Sequence, residues 1–430
     1  MAKKIFLALL MSCLALFASA SNYLTFTAEE DSSSFCIKNV GDNNPNVEYS
    51  LDDGETWTLL EADEEGTSEY VILGKKGDKA LLRGYNPKGF SIPKFDSHGG
   101  VSIHYTGFNM RGKIAASGSV MSLIDGIGES KTIPSDYCFY ALFYDCESLT
   151  QAPALPATTL ANVCYWNMFS GCANLVQAPE LPATALTEGC YDGMFYRCTN
   201  LVQAPALPAT TLADNCYDGM FLGCTSLTQA PALPATTLAK SCYSKMFCLC
   251  TNLVQAPALP ATTLAEYCYS YMFNGCTSLV QAPELPAVEL VNYCYDEMFY
   301  RCENLQKIKI SFTEWSYETG FWVGGVAPTG TFYCPKELPI KYGVNRIPEG
   351  WNVEYIDEER DVAEHISDAS FKAWGADGKI TYIGATMPVE IYDLDGRLVK
   401  KVKGKSQSVV VPQHGIYVVK SGNVSLKVEL

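Results

Sequence analysis

Histidine is scarce in this chain of 430 residues, and positive charge runs short. Only four histidines are present, and none falls in the repeated segment that fills the middle of the sequence. A zinc centre built from Cys and His at short spacings is therefore excluded from the repeats. The 31 Lys and Arg are outnumbered by 47 Asp and Glu, for a net charge of −16. No basic stripe offsets this balance. Such a chain repels phosphate backbones, which excludes nucleic acid as a partner. Long apolar runs are also missing. The longest, Ile5 to Phe17, is too short to span a bilayer. What remains is 48% hydrophobic and 18% charged, the balance of a folded chain.

What the sequence has in abundance is a repeat. Cys138, Cys164, Cys190, Cys216, Cys242, Cys268 and Cys294 are each 26 residues apart, and so are Cys146, Cys172, Cys198, Cys224, Cys250, Cys276 and Cys302. The unit reads C-Y-x-x-M-F-x-x-C-x-x-L-x-Q-A-P-x-L-P-A-x-x-L-x-x-x. A fixed period of this length means stacked supersecondary units, a solenoid, and solenoids offer surfaces before pockets.

Within one unit, Leu160, Cys164, Met168 and Cys172 are four apart, and so are Ala161, Tyr165 and Phe169. Two adjacent stripes at this spacing predict one apolar face of a short helix, capped by Thr158 or Thr159. The following Leu175 to Pro182 carries two prolines and predicts an extended piece. The expected fold is an α/β solenoid of seven 26-residue repeats, flanked by two small, sandwich-like β domains. Strands about 4.8 Å apart beside helices roughly 8–10 Å apart predict a curved stack with helices on the convex side. On that geometry neighbouring ladder cysteines lie too far apart to bridge, so the fourteen are expected as small, buried, free thiols. Free thiols in this number suit a reducing or anaerobic habitat.

The repeats differ mainly beside the apolar stripes, at Tyr140-Ala141, Trp166-Asn167, Asp192-Gly193, Asp218-Gly219, Ser244-Lys245, Ser270-Tyr271 and Asp296-Glu297. These positions are expected to face solvent. With the aromatics near them they give a candidate binding surface of Tyr140, Tyr144, Trp166, Tyr196, Tyr267, Tyr271, Tyr293 and Tyr300. A relaxed, unselected surface is the competing reading. Gln151, Gln177, Gln203, Gln229, Gln255 and Gln281 form a second ladder, either a stacking device or a sugar-binding strip.

The N-terminus reads as a secretion signal over 1–20: Lys3 and Lys4, the apolar run, then Ala18-Ser19-Ala20. A lipoprotein reading through Cys13 leaves a very short apolar run. Residues 21–128 read as an N-terminal β domain, 129–311 as the solenoid, 312–356 as its aromatic cap and 357–370 as an acidic linker. Residues 371–430 read as a C-terminal β domain. The Asp53-Gly54 and Asp395-Gly396 pairs each mark a hairpin.

Three stretches resemble chemistry without its context. Ser50-Leu51-Asp52-Asp53-Gly54-Glu55-Thr56-Trp57 is similar to the Asp-box hairpin of sialidases, and Arg346-Ile347-Pro348 is similar to their arginine motif. The order is reversed and a solenoid lies between, so the box reads as a stabilised turn. His98 and His104 near Asp96 and Ser97 do not make a triad by sequence proximity. Asp393-Leu394-Asp395-Gly396 starts like a calcium loop but lacks the remaining ligands. No catalytic, metal-binding or cofactor-binding residue is assigned, and the chain reads as a non-enzyme.

Met168-Phe169, Cys172, Leu175 and Ala178-Pro179, recurring over 138–311, resemble the BspA-like leucine-rich repeats of Bacteroidales and treponemes. The usual unit of that family is a few residues shorter and lacks the L-P-A-T-T insert. The tail, through Val389 to Arg397 and Gly415 to Lys420, is similar to a type IX secretion sorting domain, without a clear basic terminus. These resemblances imply an extracellular or outer-surface protein that adheres to host matrix or other cells by binding protein or glycan. The alternative is a glycan-binding or glycan-processing protein that uses its N-terminal β domain.

Overall fold

Two compact units divide the chain, Met1–Glu354 and Tyr355–Leu430. The computed structural model describes residues 22–95, 101–356, 372–376, 379–383, 388–393, 397–403, 407–411, 416–421 and 424–429. The leader at 1–20, His98, the 357–370 linker and the Asp395-Gly396 turn lie outside the described residues.

In the first unit the repeats contain no helix. Among the described residues the α-helical segment is the single turn Ser122–Asp125, before the repeats begin. Each nine-residue Cys-to-Cys segment is instead a continuous coil of turns. The backbone takes a left-handed φ at every fourth residue, as at Val163 (55°), Asn167 (54°) and Gly171 (78°). A right-handed helix cannot pass through such positions, so the α/β expectation fails here.

The hydrogen bonds show what replaces the helix. Cys190, Asp192 and Met194 donate their N–H back three residues, to Thr187, Gly189 and Tyr191. The residues between them donate across to the next repeat: Gly189 to Asp214, Tyr191 to Cys216, Gly193 to Asp218, Phe195 to Met220 and Arg197 to Leu222. Half the amides close turns and half zip adjacent repeats together, so backbone groups that a buried coil would otherwise strand are satisfied.

This zipping sets the spacing. The Phe column from Phe143 to Phe299 and the Tyr column from Tyr165 to Tyr295 stack with centroids 5.4 to 6.1 Å apart. That is well short of helix–helix separation and close to the spacing of hydrogen-bonded strands. The mismatch expected to curve the stack is therefore absent. The Thr pairs do not cap helices either. Thr132 with Thr159, Ala185 with Thr211 and Thr237 with Thr263 form parallel bridges, as do Gln177 with Gln203 and Gln229 with Gln255. Pairing through the Gln ladder thus runs through backbone, while its side chains are exposed.

All fourteen ladder cysteines are buried and free. The reason given from helix spacing does not apply, because adjacent repeats are hydrogen-bonded neighbours. The second ladder has its own role. The thiols of Cys172, Cys198, Cys224, Cys250 and Cys276 donate to the carbonyls of Phe143, Phe169, Phe195, Phe221 and Phe247, each at 3.1 Å. Cysteine suits this position as a small buried group with a weak donor.

Both ends of the stack are closed by sequence outside the repeats. On the N-terminal side, Ile114–Ser117 pairs in parallel with Leu149–Gln151 of the first repeat. Phe108 stacks on Phe143 at 5.5 Å and its N–H donates to Leu142. Leu24–Ala28, Lys79–Arg83 and the hairpin Glu48–Ser50/Thr58–Leu59 extend the same sheet. A second sheet runs Val71–Leu73, Ser33–Val40, Val101–Arg111, Ile92–Phe95. On the C-terminal side Gln281–Leu285, Lys307–Ile310 and Thr331–Cys334 pair in parallel. Fully buried Trp322 fills the end, against Phe299, Phe312 and Phe332.

The second unit has two sheets. One is Lys372–Ala376, Lys379–Ile383, Gln407–Val410, and the other is Leu398–Val402, Val389–Tyr392, Ile416–Ser421, Val424–Glu429. Ile380, Tyr382, Val389, Ile391, Val409 and Val419 form its core.

Candidate functional site

The outer side of the turn coil carries the variable residues, and the inter-repeat zipper places them in rows. The residue three places after each first Cys is in the left-handed region, and its N–H donates to the neighbouring repeat. This row is Ala141, Asn167, Gly193, Gly219, Lys245, Tyr271 and Glu297. The row before it is Tyr140, Trp166, Asp192, Asp218, Ser244, Ser270 and Asp296. These residues do not stand out into solvent as the helical reading required. Most are half-buried, and Ser244 and Ser270 are buried, because a turn coil holds its flanking side chains against the adjacent repeat.

The eight predicted surface aromatics separate into two banks and a middle. Tyr140 and Trp166 pack edge to face at 5.1 Å, joined by Tyr105 and Tyr137, and close the N-terminal end of the face. At the far end Tyr267 and Tyr293 stack at 4.8 Å, with Tyr317 edge-on to Tyr293. Tyr271 donates its hydroxyl to Glu297, and burial followed by that hydrogen bond pushes its pKa up to about 12. Tyr300 is half-buried, with the Arg301 guanidinium 5.3 Å from its ring centre.

Between the banks lies a groove of about 390 Å³. Tyr144 and Tyr196 wall it, and Asn167, Ser170, Asp192, Gly193, Asp218, Gly219, Leu222 and Lys245 complete it. The dip exists because two successive repeats carry glycine where their neighbours carry Asn167 and Lys245. A Cβ on Gly193 would sit 2.3 Å from the side-chain amide of Asn167. Its φ of +55° is one that glycine tolerates at little cost.

Two carboxyl groups line the groove. Burial, and then the charge of Asp218, raise the Asp192 pKa to about 7. Asp218 is also raised by burial, while Lys245, 3.6 Å away, pulls the other way. Sequence reasoning passed over these groups as variable positions. The signal was two consecutive Asp-Gly pairs in equivalent places, where every other repeat has a larger second residue.

The Asp-box stretch is occupied with its own hairpin. Thr56 donates both its N–H and its hydroxyl to the Asp52 carboxylate, and the Gly54 N–H donates to Ser50 Oγ. Hydrogen bonds from Ser50 and then Thr56 hold the Asp52 pKa at about 2. Arg346 serves the cap, donating to the carbonyls of Ser316 and Asn345. Among the described residues no group of three or more His, Cys, Asp or Glu could hold a metal ion. No helix there is long and apolar enough to cross a membrane.

No curated protein and no solved structure matches this chain. Residues 136–253 and 194–319 match the family described as BspA type leucine rich repeat region, in six copies. The repeats that build the turn coil and carry the groove are thus similar to BspA-type leucine-rich repeats, a type that suggests a protein-interaction scaffold.

Proposed function

We propose that this chain is an exported, surface-exposed adhesin whose turn face binds a protein, either of host matrix or of another cell, without catalysis. The observation that carries the reading is the anatomy of that face. Two banks of aromatic rings, the residue type enriched in protein interfaces, lie along the same run of repeats as a concave, partly desolvated groove. The repeat match supports a scaffold that presents such a face. In this reading residues 1–20 are the export signal and the C-terminal unit is a sorting domain.

The test is binding of the intact chain to an array of matrix and cell-surface proteins, repeated with Trp166→Ala and Tyr293→Ala. Loss of a protein ligand in these variants supports the turn face. Ligands retained by both variants would remove it.

A second reading rests on a different cavity. A pocket of about 510 Å³ in the N-terminal part is lined by Asp42, Asn44, Tyr85, Lys88 and His104, among others. Tyr85 is exposed and His104 pairs with Asp42. An exposed ring beside amide and charged groups fits a sugar. Glycan binding abolished by Tyr85→Ala and untouched by turn-face variants would favour this alternative.

A further inference from the structure

The groove's composition narrows the chemistry of what enters it. Asp192 and Asp218 face it from adjacent repeats, and among the described residues the cation paired there is Lys245, 3.6 Å from Asp218. With both carboxyls ionised, the two carboxylates and one ammonium that line the groove leave a single negative charge. The Asp192 carboxyl lies beside Asp218 and Lys245 with the uncharged Tyr144, Tyr196, Asn167 and Ser170 completing the walls.

We propose that the groove receives one basic side chain, an arginine or lysine, from a protein partner. The proposal rests on the turn-face reading above and specifies its ligand. A monovalent organic cation closes the local charge, and a tyrosine ring suits its flat or aliphatic faces. The Arg197 guanidinium already lies 5.2 Å from the Tyr196 ring centre, so Tyr144 is the ring left for the incoming side chain. A divalent metal would find two carboxylates here and, among the described residues, no third His, Cys, Asp or Glu to complete a cluster. A neutral sugar would leave the charge uncompensated. The aromatic banks on either side then contact the residues that flank the basic one.

Cation binding requires Asp192 ionised. Its pKa of about 7 when unoccupied makes affinity depend on pH near neutrality. Lys245 competes with the incoming cation for Asp218.

The experiment is selection of a random dodecapeptide phage library on the intact chain. One enriched peptide is then titrated against wild type and variants. Enriched peptides are expected to share a basic residue, with binding lost when that residue is replaced by glutamine. Affinity should fall about tenfold from pH 8 to pH 6. Asp192→Asn should weaken binding at pH 8 and abolish the pH dependence. Lys245→Gln should strengthen binding several-fold, which a misfolded variant could not do. Peptides that lack a basic residue yet lose binding to Tyr144→Ala overturn the proposal and leave the turn face standing. Peptides indifferent to every turn-face substitution overturn both.

Discussion

Phe169 and Phe195, 26 residues apart in sequence, stack with centroids 5.6 Å apart and rings within 3° of parallel. That relationship is possible only because the Phe169 N–H donates to Met194 and the Phe195 N–H to Met220, locking each ring to the next repeat. Phe195 is fully buried between two like neighbours, Phe169 and Phe221. Phe195→Ala is expected to cost about 3–5 kcal/mol, read as a drop in the urea midpoint. Loss of much less would mean the column is looser than the ring geometry shows.

Tyr165 carries a buried hydroxyl with no hydrogen-bond partner. The same column begins with Phe139, which packs parallel to Tyr165 at 5.9 Å. Removing an unsatisfied polar group is neutral or favourable. Tyr165→Phe should leave stability unchanged or raise it by about 1 kcal/mol. A clear destabilisation would show that the hydroxyl has a partner in solution.

A helix in every repeat would dominate the far-ultraviolet circular dichroism, and a turn coil would not. The intact chain should show no helical minimum at the strength that seven such helices demand. A strong helical band that melts together with the protein would contradict the left-handed positions at Val163, Asn167 and their equivalents.

The ladder thiols set a limit at high pH. Burial raises Cys138, Cys190, Cys242 and Cys294 from the ordinary 9.0 to about 12. The folded chain therefore holds protons that the unfolded chain releases above pH 9. Stability from these groups is full below about pH 9 and is lost as pH rises from there to about 12. Urea midpoints taken between pH 8 and 11 should fall steeply, and native thiols should resist alkylation at pH 8. A flat profile would mean the cysteines are not buried as free thiols.

Asp192 obeys the same sign in a lower range. Its carboxyl is raised from 3.8 to about 7 in the fold, so folding favours the protonated form and stability falls as pH rises through that interval. Asp192→Asn should stabilise the chain at pH 8 by about 1–3 kcal/mol and have little effect at pH 4. An equal effect at both pH values would rule out the titration.

The sequence alone determined the repeat, its period, the buried identity of its apolar positions and the closure of its far end by aromatics. A 26-residue period fixes which residues become neighbours whatever the local backbone does. It could not decide what that backbone is. Apolar residues at strict four-residue spacing read as a helical stripe, yet a helix advances 3.6 residues per turn and such a stripe drifts around it. Four-residue spacing is native to a coil with a left-handed residue every fourth place. Only the tertiary structure showed that coil, because its stability comes from amides that bond to the next repeat, invisible within one unit. The groove was decided at the same level. Asp192, Gly193, Asp218 and Gly219 mean little along the chain and become a site once the zipper sets adjacent repeats side by side between Tyr144, Tyr196 and Lys245.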